Sequence, residues 1–240
     1  MKVALLSDVH ANLVALRAVL EVLPPVDAIW VTGDTVGYGP EPSDTLALLQ
    51  ERGAVLIAGN HDRAVATGRG LDLFNSVAAD AARIHQRMLS PAERDVLGGL
   101  PETLVLLGIG LCHGSFRDPL WEYVFTAPVA AASLAAGGTA FGCCGHTHVP
   151  ALWAPDAGGT IAGLRPEPGH PYALGATALL NPGSVGQPRD GDPRAAYGVL
   201  DTAARTVTFE RVAYDVQATR RRIHDRKLPE VLGDRLVHGL

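Results

Sequence analysis

Five short apolar runs in this chain end in the same way. Lys2–Ser7 leads into Asp8-Val9-His10, Ala28–Thr32 into Gly33-Asp34, and Ala54–Ala58 into Gly59-Asn60-His61-Asp62. Ile109–Cys112 leads into His113-Gly114, and Ala140–Cys143 into Cys144-Gly145-His146-Thr147-His148. Each run has the length and composition of a buried strand, and each delivers a polar group just past its end. Loops beyond strand ends are where α/β sheets gather functional side chains, so the pattern limits the fold to one that brings several such ends together.

The intervening segments support that class. Asn12 can cap a helix whose Leu13, Leu16, Leu20 and Leu23 recur at helical spacing before Pro24-Pro25 stops it. Ser43–Arg52 reads as a second helix, Ser76–Leu89 as a third, and Pro91–Leu97 as a fourth opened by the capping box Ser90-Pro91-Ala92-Glu93. Beyond residue 100 the pattern turns to strands: Leu104–Leu107, Ile109–Cys112, Ala140–Cys143, Ala151–Ala154, Ala178–Leu180, Tyr197–Asp201 and Thr206–Val212. Residues from about 214 to 236 return to helix. This predicts an α/β protein with two sheets, one mixed and one mostly antiparallel. A boundary near residue 100 would leave each half short of a core, so one domain is expected across residues 1–240.

Composition excludes some functions. With 47% hydrophobic and 19% charged residues among 240, the chain is an ordinary globular one. Its net charge of -5 offers no basic track for duplex nucleic acid or anionic membrane. The cluster Arg220-Arg221-Arg222 with Arg226 and Lys227 reads as the solvated face of a helix. Three cysteines, two of them adjacent (Cys143, Cys144), make no disulfide framework and point to a reducing compartment. The apolar N-terminal stretch is too short for a signal segment or membrane span, so a cytoplasmic location is expected. Nothing in the sequence specifies an oligomeric state.

Taken singly, Asp8, Asp34 or any one of the nine histidines has a structural explanation as a turn former or satisfied core residue. Jointly they do not. Asp8 and His10 lie two apart, as do His146 and His148, so each pair shares a side of an extended chain. Two carboxylates, an amide oxygen and four imidazoles suit Mn²⁺, Fe or Zn²⁺ better than Ca²⁺, and seven ligands fit two ions sharing a carboxylate. A purely structural zinc site would want cysteines, and none stands at these positions. His85, His170, His224 and His238 are assigned structural roles.

In their order, Asp8-Val9-His10, Gly33-Asp34, Gly59-Asn60-His61-Asp62, His113-Gly114 and Gly145-His146-Thr147-His148 resemble the motif series of the calcineurin-like metallophosphoesterase superfamily. Gly33–Pro40 and Asn181-Pro182-Gly183-Ser184-Val185-Gly186-Gln187-Pro188-Arg189-Asp190 extend the likeness toward its small bacterial phosphodiesterase branch, grouped with diadenosine-tetraphosphatase-related proteins. The resemblance implies a four-layer α/β-β/α sandwich around two divalent ions, Mn first, with Fe, Zn, Ni or Co as alternatives. It implies Asp8, His10 and His148 on one metal, Asn60, His113 and His146 on the other, and Asp34 bridging. It further implies that His61 faces the scissile phosphate and that Asp62 orients His61. A hydroxide held by two metals about 3.5–4 Å apart would attack phosphorus, and a histidine near neutral pKa would serve the leaving oxygen.

The expected activity is hydrolysis of a small phosphate ester, most readily a phosphodiester. The alternatives are a phosphomonoesterase, a dinucleoside-polyphosphate hydrolase, a nuclease with nucleic acid only as substrate, or a non-catalytic scaffold. No membrane partner is expected. Protein phosphatases of the superfamily carry an arginine shortly after Gly-Asp, and Thr35–Pro40 contains none. Position 11 is Ala where the resemblance favours glycine. Arg63, Arg117 and Arg189 are candidate phosphate contacts. Trp121, Tyr123 and Phe125 are candidates either for stacking on a substrate or for packing.

Overall fold

The computed structural model describes residues 1–240. β1 (Lys2–Leu6), β2 (Ala28–Val31) and β3 (Val55–Leu56) alternate with α1 (Leu13–Val22) and α2 (Pro42–Glu51). β1 pairs parallel with β2, and β2 with β3. Asn12 caps α1 by accepting from the Ala15 amide at 3.2 Å. α3 (Asn60–Thr67), α4 (Ser76–Met88) and α5 (Pro91–Gly98) follow, the last with the Ser90/Glu93 capping box in place.

The second half supplies β4 (Thr103–Leu106), β5 (Ile109–Cys112), α6 (Ala127–Gly137), β6 (Phe141–Cys143), β7 (Ala151–Pro155), β8 (Ile161–Leu164), β9 (Pro171–Ala173) and β10 (Ala178–Asn181). The chain closes with β11 (Ala195–Asp201), β12 (Thr206–Val212), α7 (Val216–Asp225) and α8 (Val231–His238).

Two six-stranded sheets result, ordered β3-β2-β1-β11-β12-β9 and β4-β5-β6-β10-β7-β8. Both are mixed. In the second, β5, β6 and β10 run parallel while β4, β7 and β8 are antiparallel to their neighbours, so most of its pairings are antiparallel. The halves also interleave, because β11, β12 and β9 complete the first sheet beside β1. A local strand pattern carries no information about which sheet a strand joins.

The sheets pack face to face. One buried cluster joins Val3, Leu5, Trp30 and Ile57 of the first sheet to Ile109, Leu111, Leu152 and Leu180 of the second. The first sheet's outer face is covered by α1 and α2 through Leu16, Val19, Leu46 and Leu49. The second's is covered by α6 through Ala130 and Leu134. The layering is the four-layer α/β-β/α sandwich that the resemblance implied.

Besides the short strands β8 and β9, which the sequence reading does not contain, three elements depart from it. The long C-terminal helix is two, α7 and α8, because Lys227 takes a left-handed φ of +56° and Pro229 follows. α6 arises from an alanine-rich segment with almost no helical periodicity, closed by Gly138 at φ +66°. α3 begins inside the Gly59-Asn60-His61-Asp62 motif, which lacks an apolar stripe because its buried face is polar.

Candidate metal centre

The parallel strands β1, β2 and β3 of one sheet and β5, β6 and β10 of the other end on a common rim, and every motif lies there. Asp8 and His10 follow β1, Asp34 follows β2, Asn60 and His61 open α3 after β3, His113 follows β5, and His146 and His148 follow β6. All eight are buried. Asp8, His10, Asp34, His146 and His148 hold left-handed φ values between +47° and +66°. Non-glycine residues adopt that conformation only where the surroundings enforce it. Ala11 shares it at φ +50°, which explains why glycine suits that position.

Backbone acceptors set the tautomer of each candidate imidazole. His10 Nδ1 donates to Val36 O at 3.0 Å, His148 Nδ1 to Gln187 O at 2.5 Å, and His113 Nδ1 to Thr32 O at 2.9 Å. His146 is bound through the other nitrogen, Nε2 to Trp121 O at 3.2 Å. The remaining nitrogens then point inward in pairs. His10 Nε2 lies 3.1 Å from His148 Nε2, and His113 Nε2 lies 3.1 Å from His146 Nδ1. Two lone pairs face each other at that distance only with a proton or cation between them.

The carboxylates are split in the same way. Asp8 Oδ2 accepts from Ser7 Oγ at 2.7 Å and from the His146 amide at 3.1 Å, while Oδ1 is buried with no partner, 3.3 Å from His148 Nε2. Asp34 Oδ1 accepts from the His61 amide at 2.9 Å; Oδ2 faces His113 Nε2 at 3.2 Å and His10 Nε2 at 3.6 Å. Asn60 Oδ1 is also buried without a partner. Asp8, His10 and His148 form one group whose ligand atoms lie within 4.8 Å of one another, and Asp34, His113 and His146 form a second. A third group joins His61 to His10 and Asp34. Nitrogen and oxygen donors without thiolate fit a borderline divalent ion.

Burial dominates the electrostatics. It drives His10 and His148 well below the ordinary histidine range and His146 to about 3. His113 is the exception. Burial again opposes its charge, but the Asp34 carboxylate, its hydrogen bond, and Asp8 outweigh that and raise it to about 9. A cation held by the second group would take the place of that proton on His113. Burial raises Asp8 to about 7, with Asp34 adding repulsion.

One expectation about the opening of α3 needs correction. Asp62 makes no hydrogen bond to His61. Its Oδ1 accepts from the Val36 amide at 3.0 Å and its Oδ2 from Gly59 and Thr35 at 3.0 and 3.2 Å, so it ties the Asp34 loop to α3. Burial lowers His61 to about 4, and its Nδ1 is buried without a partner. Its ring is fixed by packing instead, stacked on Phe74 at 4.4 Å and tilted against Tyr38 at 4.3 Å.

The sequence also left several contributors without a role. Asn181 Nδ2 donates to Gly145 O at 2.7 Å and Thr147 Oγ1 at 2.9 Å, pegging the loop that carries His146 and His148. Ser184 Oγ donates to Asp8 O at 2.7 Å. Both stand in the Asn181–Asp190 motif, which was legible as a likeness but not as a brace. Tyr38, at φ +59°, lies against both His10 and His61. Among the aromatic trio, Trp121 packs on Phe74. Tyr123 stacks on His146 at 3.9 Å with Phe125 beyond it, and the two are 45% and 57% exposed. His85 is structural, bridging the Gly37 amide at 3.0 Å and Gly39 O at 2.7 Å. The three cysteines are buried and free.

Residues 1–205 match the family model described as the calcineurin-like phosphoesterase superfamily domain. The chain belongs to that superfamily. It is similar to a metallophosphoesterase from Sphaerobacter thermophilus, 40% identical, with a TM-score of 0.91 over 100% of this chain and 99% of the other. An uncharacterised protein of Methanocaldococcus jannaschii is 32% identical over 245 residues, 99% of this chain and 98% of its own. A symmetrical bis(5'-nucleosyl)-tetraphosphatase of Salmonella paratyphi A is 40% identical over only 63 residues, 24% of this chain and 22% of that enzyme. With its family, fold and buried donor groups, the chain is a metal-dependent phosphoesterase.

Proposed function

We propose that this phosphoesterase hydrolyses small phosphodiesters with two divalent ions at the rim, manganese first among them. The observation that carries the reading is the donor geometry: four imidazoles tautomerically fixed by backbone carbonyls, converging with Asp34 Oδ2 and the unpartnered Asp8 Oδ1. Asp8, His10 and His148 would hold one ion, Asn60, His113 and His146 the other, with Asp34 between them. When bound, the ions supply charge neutralisation for the phosphate and a water acidic enough to ionise near neutral pH.

The chain's own residues do the rest. Asp62 holds the Asp34 loop against α3, so that the Asp34 carboxylate stays in register with His10 and His113. The Phe74 and Tyr38 rings fix the plane of His61, which is neutral at rest and serves the leaving oxygen as a hydrogen-bond donor. A bound phosphate anion would raise its basicity toward proton transfer. The three buried thiols suit a reducing, cytoplasmic setting, and no helix is long and apolar enough to cross a membrane.

The local likeness to the tetraphosphatase supports dinucleoside polyphosphates as a second substrate class. The deciding experiment measures hydrolysis by protein stripped with EDTA and reloaded with Mn²⁺, across phosphodiesters, monoesters, dinucleoside polyphosphates and oligonucleotides. Small diesters are expected to turn over fastest, and EDTA to abolish the activity. EDTA-resistant hydrolysis, or a preference for monoesters, would refute the reading.

A further inference from the structure

Of the three arginines that the sequence offers to phosphate, two are already engaged. Arg63 donates to Gly98 O at 2.7 Å and Leu100 O at 3.1 Å and pairs with Glu102 at 3.2 Å. Arg117 is exposed and paired with Glu122. Arg189 has no carboxylate partner. Its Nε and Nη2 donate to the single Gln187 Oε1 at 3.2 and 2.8 Å, its other polar neighbour is the Tyr38 hydroxyl, and no carboxylate or carbonyl takes its Nη1.

The surroundings fix this guanidinium at the metal centre. It lies 5.6 Å from the centroid of Tyr38, the ring that packs on His10 and His61. The Arg189 amide donates to His148 O at 3.4 Å, while the adjacent Gln187 carbonyl receives His148 Nδ1. Its charge is felt across the rim: burial is the largest cause of the low basicity of His10, His61, His146 and His148, and Arg189 adds to it in all four. An unpaired cation beside a centre built to hold cations is repulsive, and an anion between them removes the repulsion. A guanidinium with a free edge and a fixed plane suits a phosphate oxygen better than a flexible ammonium does.

We propose that Arg189 is a substrate-binding residue whose free Nη1 edge takes a non-bridging oxygen of the phosphate ester, with Gln187 and Tyr38 holding its plane. This rests on the phosphoesterase reading, and binding separates the two. Inorganic phosphate is titrated calorimetrically into Mn²⁺-loaded wild type, Arg189→Ala and Arg189→Lys, with metal content measured on each. Arg189→Ala is expected to weaken phosphate binding, and to raise KM more than it lowers kcat, by about tenfold or more at unchanged metal content. Arg189→Lys should recover part of the affinity. Unchanged phosphate affinity in Arg189→Ala overturns the proposal, as does metal loss, which would make Arg189 a brace for His148. Absence of phosphate binding in the wild type overturns it too. A wild type that binds phosphate through Arg189 yet hydrolyses no diester leaves this inference standing and removes the phosphodiester one.

Discussion

His61 and His85 are both buried imidazoles lowered to about 4, yet they differ in what faces them. His85 has both ring nitrogens satisfied by the Gly37–Gly39 backbone, whereas His61 Nδ1 has no partner. The first arrangement stabilises a loop and the second leaves a group free for a ligand. His61→Gln is therefore expected to lower kcat by on the order of 100-fold while leaving metal content per chain unchanged. Loss of metal in that variant would instead place His61 among the ligands. His85 gives a stability prediction whose sign follows from its depressed folded value. Its contribution is complete above the unfolded pKa of 6.5 and is lost as pH falls toward 4, about 3 kcal/mol in all. Denaturant unfolding of metal-free protein at pH 7.5 and 4.5 should show a smaller pH difference in His85→Gln than in the wild type.

At the scale of elements, the join between β3 and α3 governs the centre. A Cβ on Gly59 would fall inside the Asp34 carboxylate, so this glycine is required by close approach. Gly59→Ala should displace Asp34 and cost most of the bound metal, read by metal analysis after gel filtration. Asp62 at the third helical position of α3 accepts three backbone amides from two loops. Asp62→Asn replaces one of its acceptor oxygens with a donor that meets an N–H. Such a buried mismatch costs about 2–3 kcal/mol, a fall in melting temperature on the order of 5 °C. If Asp62→Asn melts with the wild type and loses only turnover, Asp62 acts on His61 and not on the loops.

For the whole molecule, the donors come from both sheets: Asp8, His10, Asp34 and Asn60 from the rim of one, His113, His146 and His148 from the other. An ion bound there ties the sheets together at one end of their shared apolar interface. Metal at 100 times its dissociation constant is expected to stabilise the fold by about 3 kcal/mol and raise the melting temperature by roughly 5–10 °C. Differential scanning calorimetry with Mn²⁺ and then EDTA measures this directly. An equal melting temperature in both would mean that the ligand groups do not close on a common ion.

The class of fold and the rim were legible in the amino-acid order. Apolar runs ending in Asp8, His10, Asp34, Asn60, His61, His113, His146 and His148 could be read because strand burial and strand-end placement are local properties, visible over a few residues. Tertiary structure decided which sheet received β11 and β12, since pairing partners lie far apart in the chain and share one local pattern, and it made a strand of β9, which has no strand pattern of its own, by pairing it with β12. It also decided that Asp62 binds backbone amides and not His61, and that Arg189, of three candidate arginines, keeps a free edge. A carboxylate one residue from a histidine is equally free to face it or turn away. Only the loops folded against it, with amides that no other group satisfies, settle which.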